Sequence, residues 1–191
     1  MRKKSYEYVG KRLPRMDADL QLTGACRYGD DYYLPGMLIA KPKYSDISHG
    51  KILNINVSEA ESMPGVAAII THKDIPCNRY GNATPPDQYV LSSDRVLYHG
   101  DCIAVVAAET RQQAEDAAKR IHVTYEELPA IKSIEEALAP DAPPARSDYP
   151  DNLCATVDMN TGDVEAAMRQ ADMVIEQTYE TQKVDHTPIE P

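Results

Sequence analysis

An α+β fold, a mixed sheet with a few helices packed on it, is what the amino-acid sequence predicts, and three stretches carry that prediction. Cys102 to Ala108 is a continuous apolar run bounded by Gly100-Asp101 and Glu109, the pattern of a strand buried on both faces. Directly after it, Ala114, Ala117, Ala118 and Ile121 recur at the i, i+3, i+4, i+7 spacing of one helix face. Lys51 to Val57 alternates, with Leu53, Ile55 and Val57 on one side and Ile52, Asn54 and Asn56 on the other, as a strand with one buried side does.

From the start of the chain, residues 1–13 are charged and aperiodic and are expected to form a flexible lead-in or an arm lying on a partner. Gly24 to Tyr28 reads as a strand leaving through Gly29-Asp30-Asp31, and Leu34-Pro35-Gly36-Met37-Leu38 is a turn feeding the next strand. Ser58 is placed to cap a single turn before Met63-Pro64-Gly65 directs the chain into a strand over Val66 to Ile70. Thr71 to Pro76 reads as a short helical turn or link. Cys77 to Val90, rich in Asn, Gly and Pro, reads as a long exposed loop.

The central unit then runs strand, helix, strand. Thr110 occupies an N-cap position with Gln113 three residues on, a capping-box spacing, and Glu115–Lys119 and Asp116–Arg120 are spaced as ion pairs on the outer face. The inner face is mostly alanine, which lets a helix axis approach a sheet closely. Val123 and Tyr125 alternate with Thr124 and Glu126 before Leu128-Pro129. Ser133 to Glu136 is a second capping-box candidate, and Ala139 to Asp151 is a proline-rich surface linker. Asp163 caps a helix with Val164, Ala167, Met168 and Ala171 on one face, and Met173 to about Thr181 is an extended, β-prone run.

Composition narrows the function classes. A formal net charge of −10 argues against nucleic acid as partner, because phosphates require a basic surface. No window approaches a membrane span, and the basic start MRKKSYEYVGKR is followed by no apolar signal region, so a cytoplasmic protein is expected. Cys26, Cys77, Cys102 and Cys154 include no Cys-x-x-Cys pair, so neither a zinc site nor a redox dithiol is indicated. Twelve tyrosines and no Phe or Trp make the aromatic content amphipathic, suited to a subunit interface or to ordinary half-buried positions. His49 with Ser45 suggests acid–base chemistry only in outline: no nucleophile and orienting group is readable around them, so a hydrogen-bonded structural histidine is the expectation.

Several motifs, in order, resemble one family. They are DADLQLTGACRYGDDYYLPGML, then Tyr98, Gly100, Ile103-Ala104, Val106, Ala108, Ala114, Ala117-Ala118, Val123, Tyr125-Glu126 and Leu128-Pro129. Gly162-Asp163, a helix, Ala171-Asp172, a long strand and DHTPIEP complete them. The order is similar to the N-terminal α/β hammerhead domain of molybdenum hydroxylase large subunits, the xanthine dehydrogenase and aldehyde oxidase family, and to the first elements of the molybdenum-binding domain after it. The resemblance divides the chain into a lead-in (1–13), a hammerhead domain (14–138), a linker (139–160) and the opening segment of a molybdopterin-binding domain (161–191).

The resemblance implies a fold and a chemistry together. Such subunits are oxidoreductases that hydroxylate N-heterocycles or aldehydes, as in purine metabolism, with a molybdopterin cofactor and with iron–sulfur centres and FAD on other domains or subunits. For this chain it implies a structural, subunit-interface and substrate-channel role, inactive alone, with the remainder of the large subunit, iron–sulfur and FAD units or a second copy as partners. No catalytic, cofactor-binding or metal residue is assigned within it, and no nucleic acid or membrane partner is expected. Two departures stand out. Where relatives carry Arg-Ser-Pro-x-Ala-His-Ala-Arg, Ser45, His49 and Lys51 fit but Tyr44 and Asp46 do not, and where they carry a glutamine near the molybdenum oxo ligand this chain has Val184, which has no hydrogen-bond donor. The alternative is an independent, non-catalytic protein-binding or assembly module of the same fold.

Overall fold

A computed structural model describes residues 6–81 and 88–187 of the 191. The chain divides into two compact units, residues 36–174 and a second made of 1–35 together with 175–191.

The larger unit is α+β, as expected. Its strands are β1 (Ile39–Tyr44), β2 (Gly50–Asn56), β3 (Val66–Thr71), β4 (Arg79–Tyr80), β5 (Gln88–Tyr89), β6 (Arg95–Val96), β7 (Cys102–Ala108) and β8 (His122–Glu127). They form three small sheets, ordered β1-β7-β3, β6-β2-β8 and β4-β5, and every described pair is antiparallel. α2 (Ser58–Glu61), α3 (Arg111–Lys119), α4 (Ile134–Ala137) and α5 (Val164–Gln170) belong to this unit, and α1 (Ala18–Leu22) belongs to the smaller one.

β7 is the central strand of its sheet, and Ile103, Ala104, Val106 and Ala108 on it are buried, as a strand covered on both faces requires. Thr110 caps α3 by accepting from the Gln113 N–H at 3.3 Å. Ala114, Ala117, Ala118 and Ile121 all fall within the core, and α3 lies against β1 and β7. The core extends to Ala60 on α2, with Ile55, Val57, Met63, Val66, Ile69 and Val123 packed around it. α3 therefore leads from one sheet to the other: β7 and β8 do not pair, so the strand–helix–strand stretch is a link between two sheets and not a parallel crossover within one.

Other expectations are corrected in detail. The outer face of α3 exchanges its partners: Glu115 pairs with Lys41 at 3.3 Å, Asp116 with Lys119 at 3.2 Å, and Arg120 with Glu59 at 2.6 Å. Charges on β1 and α2 take Glu115 and Arg120, and Asp116 takes Lys119 at i, i+3 within the helix. The return half of the capping box is absent as well, because the Gln113 Oε1 accepts from the Thr110 hydroxyl at 2.8 Å. Its side chain lies over Gly65, whose φ of +81° suits glycine and where a Cβ would run into the Gln113 amide.

The even alternation of β2 is broken by a β-bulge. Ile52 pairs with Tyr125 and Asn54 with Thr124, which leaves Leu53 unmatched. Ile52 and Ile55, three apart, are thereby both half-buried, whereas Leu53 is 60% exposed. Val57, not Ser58, is the N-cap residue of α2. Gly24–Tyr28 is not a strand: Cys26 N–H donates back to the Leu20 carbonyl at 2.9 Å, so the segment closes α1 in a turn, with Gly24 at φ +73°. Gly29–Asp31 is a single 3-10 turn. Within the Cys77–Val90 loop the flanks pair as β4 and β5, and residues 82–87 lie outside the described residues.

Two C-terminal expectations also change. α5 forms, with the Asp163 carboxylate accepting from Ala166 N–H at 2.8 Å, but Val164 and Met168 on its apolar face are exposed. Residues 173–181 pair with no strand among the described residues; a β-prone run becomes a strand only where an edge supplies its ladder hydrogen bonds.

Candidate functional site

Buried polar side chains gather where β1 ends, β2 begins and β7 begins: Ser45, His49 and Asp101, with Ser92 nearby in sequence to β6. Three of them are committed to backbone. Ser45 donates its hydroxyl to the Ile47 carbonyl at 2.8 Å and accepts from Ile47 N–H at 3.2 Å, an ST-type turn. Asp101 accepts from Leu97 N–H at 3.0 Å, and its own carbonyl takes Ser45 N–H at 2.8 Å. His49 Nδ1 lies 2.7 Å from the Pro129 carbonyl; a carbonyl only accepts, so Nδ1 carries the proton. His49 Nε2 is buried with no partner.

This arrangement is scaffolding, as the sequence suggests for His49. Ser45 does not bond His49, and the histidine is oriented by a carbonyl and not by a carboxylate. The buried Tyr125 hydroxyl lies beside Ser45 and Asp46 but hydrogen-bonds neither, and burial pushes its pKa up to about 12, with the Asp46 charge adding to the effect. Tyr44 and Asp46, the departures from the family pattern, are exposed, while Lys51 pairs with Glu126 at 3.0 Å across the β2–β8 ladder.

His49 also lines a cavity of about 320 Å³ together with Ser48, Tyr98, His99, Lys132 and Arg146. Arg146 belongs to a second polar cluster that sequence reading does not reach. Asp148 receives Arg79 at 2.7 Å and Arg146 at 3.3 Å, and Arg79 stands over the Tyr89 ring at 4.8 Å. Arg95 donates to the Ala145 carbonyl at 3.1 Å. The proline-rich 139–151 segment is thus pinned along the surface. The partners are 50 to 69 residues apart in sequence, a distance at which no local pattern signals contact.

No three His, Cys, Asp or Glu side chains converge among the described residues, and the four cysteines are unpaired. Val184 lies in the irregular 171–187 stretch and is 76% exposed. Its side chain offers no donor, and among the described residues neighbouring His186 and Thr187 engage Asp185. No described helix is long and apolar enough to cross a membrane.

Comparison with known proteins places this geometry. Residues 23–129 match the a/b hammerhead domain of aldehyde oxidase and xanthine dehydrogenase, and residues 145–191 match the molybdopterin cofactor-binding domain. A probable xanthine dehydrogenase subunit of Bacillus subtilis is 42% identical over 92% of this chain, which covers 23% of that protein. The nicotinate dehydrogenase large molybdopterin subunit of Eubacterium barkeri is 36% identical over 98% of this chain, covering 44% of that protein. The chain thus spans less than half the length of either relative. The solved aldehyde oxidoreductase of Desulfovibrio gigas superposes with a TM-score of 0.67 at 36% identity, over 72% of this chain and 16% of that one. With a hammerhead domain over more than half its length and the start of a molybdopterin-binding domain behind it, this chain belongs to the aldehyde oxidase and xanthine dehydrogenase family of molybdenum hydroxylases.

Proposed function

We propose that the chain serves as the N-terminal part of a xanthine dehydrogenase-like large subunit, a structural and subunit-interface domain that helps to shape the substrate channel of an oxidoreductase acting on N-heterocycles or aldehydes. The observation that carries this reading is the contrast between a closed core over β1–β8 and an open apolar series behind it. Val164, Met168, Met173, Val174, Ile175, Tyr179 and Val184 are all more than half exposed, within the stretch that matches the cofactor-binding domain. An apolar series of that kind is stable only when covered.

The donor sets present do not suit a molybdenum or iron–sulfur centre: no acidic, His or Cys triad converges among the described residues, and Val184 provides no hydrogen bond. In this reading molybdopterin is held by the molybdopterin-binding domain beyond these elements, iron–sulfur centres and FAD sit on other domains or subunits, and the chain by itself is inactive. The division into 1–13, 14–138, 139–160 and 161–191 is supported by the two matched regions; by compactness, however, α5 stays with the hammerhead unit. Unpaired thiols suit a cytoplasmic setting.

The test is the reading frame downstream of Pro191 together with metal analysis of the purified chain. Continuation into a glycine-rich cofactor-binding sequence, and a chain free of molybdenum and iron, are expected. A stop codon there with no molybdenum-domain gene nearby points to the independent binding module, and stoichiometric metal on the chain overturns its non-catalytic role.

A further inference from the structure

The segment that joins the two matched domains is held by charge rather than by burial. No residue of 139–152 is buried, and the β-bridge of Arg146 with Tyr149 lies within the segment itself. Its shape is internal too: the Asn152 side chain accepts from Ala145 N–H and donates to the carbonyls of Ala137 and Pro143. Two arginines reach it from the hammerhead strands. Arg79 of β4 meets Asp148 at 2.7 Å, and Arg95 of β6 donates to the carbonyls of Ala145 at 3.1 Å and Pro144 at 3.4 Å. Arg79 and Arg95 fall in the 23–129 match while Ala145 and Asp148 fall in the 145–191 match, so these contacts bridge the domains.

The Arg79–Asp148 pair is set firmly on one side only. Arg79 donates to the Tyr89 hydroxyl at 2.8 Å and stands over that ring, so its guanidinium is positioned by the β4–β5 hairpin. Beside it the Asp148 carboxyl is held below the usual carboxylate range and is ionised at neutral pH. Both side chains are more than a third exposed, and an ion pair so exposed to water holds weakly and reversibly. Upstream, the hammerhead grips the chain as far as Pro129, whose carbonyl is bonded to His49. We propose that residues 139–152 are a latched strap, a pre-shaped unit that lifts from the hammerhead strands about the stretch after Pro129, with Asp148 on Arg79 as the latch and Arg95 as the second hold. Latched, the strap presents α5 from one place; lifted, it lets α5 swing. The core is the same in both states, because no strap residue belongs to it.

Pulsed dipolar EPR between spin labels on the exposed Cys77 and Cys154, in a Cys26→Ser, Cys102→Ala background, tests the latch, since the two thiols lie close in sequence to Arg79 and to Asn152. The protein with its arginines and Asp148 intact should give one narrow distance distribution. Asp148→Asn with Arg95→Gln should about double its width, as a tethered chain released at one end spreads, and leave the denaturant midpoint of the core unchanged. Arg79→Gln should broaden the distribution as Asp148→Asn does, and the two together no further. A narrow distribution after Asp148→Asn with Arg95→Gln, a broad one before any of these substitutions, additive effects of Arg79→Gln and Asp148→Asn, or a core midpoint that falls in step with the broadening overturns the proposal.

Discussion

α3 and α5 begin alike and end differently. Each is opened by a side-chain cap, Thr110 on Gln113 N–H and Asp163 on Ala166 N–H, and each carries apolar residues at helical spacing. Yet Ala114, Ala117, Ala118 and Ile121 of α3 are buried, while Val164 and Met168 of α5 are more than half exposed. Cap and periodicity suffice to make a helix, but burial comes from what lies opposite. α3 has β1 and β7 against it, and no element stands against α5 to a comparable extent.

The largest expected contrast compares deletions on the two sides. Ile103→Ala, in the sheet beneath α3, should cost about 2 to 5 kcal/mol of unfolding free energy, whereas Met168→Ala should stay within about 0.5 kcal/mol. Denaturant melts of the two variants check this, and equal losses would mean that α5 is packed. Overfilling is the next test. Ala117→Leu should cost about 1 to 3 kcal/mol by forcing α3 off its sheet, while Ala167→Leu on α5 should be neutral. An unchanged midpoint for Ala117→Leu removes the close-packing argument.

The smallest effect is pH-dependent and again confined to the packed side. The folded pKa of Tyr125 is pushed up to about 12, above the unfolded value near 10. Its contribution is therefore complete below about pH 10 and is lost as pH rises toward about 12, because the unfolded chain gives up that proton first. Tyr125→Phe should flatten this alkaline decline while changing neutral-pH stability by less than about 1 kcal/mol. Parallel pH profiles for the two proteins would show that burial does not set the shift.

What is legible in the sequence is whatever a local pattern encodes. The β7 run, the alanine face, the caps Thr110, Ser133 and Asp163, and the turn at Met63-Pro64-Gly65 all stand where composition and spacing put them. Sheet membership is not legible, because nothing within residues 94–129 says that β7 and β8 pair with different neighbours. Nor is the bulge: clean alternation over Lys51–Val57 describes a flat strand, and the unmatched Leu53 exists because Ile52 and Ile55 both turn toward one side. At the candidate site, His49 is hydrogen-bonded structure in the sequence reading and in the fold alike. Its carbonyl partner, 80 residues away, and the Arg79–Asp148–Arg146 cluster are products of folding alone.

Asn152 gives the segment before α5 a property its composition hides. It adopts a left-handed backbone at φ +57°, tolerable for asparagine, and its side chain accepts from Ala145 N–H at 2.8 Å while donating to the carbonyls of Ala137 at 3.0 Å and Pro143 at 3.1 Å. A free chain of about thirteen residues would let its end wander over roughly 20 Å. Riveted at one residue to three points, this one has little slack. With only residues 153–163 between that fixed point and α5, a surface that covers the helix meets it at a higher effective concentration than a leash running from residue 139 would allow.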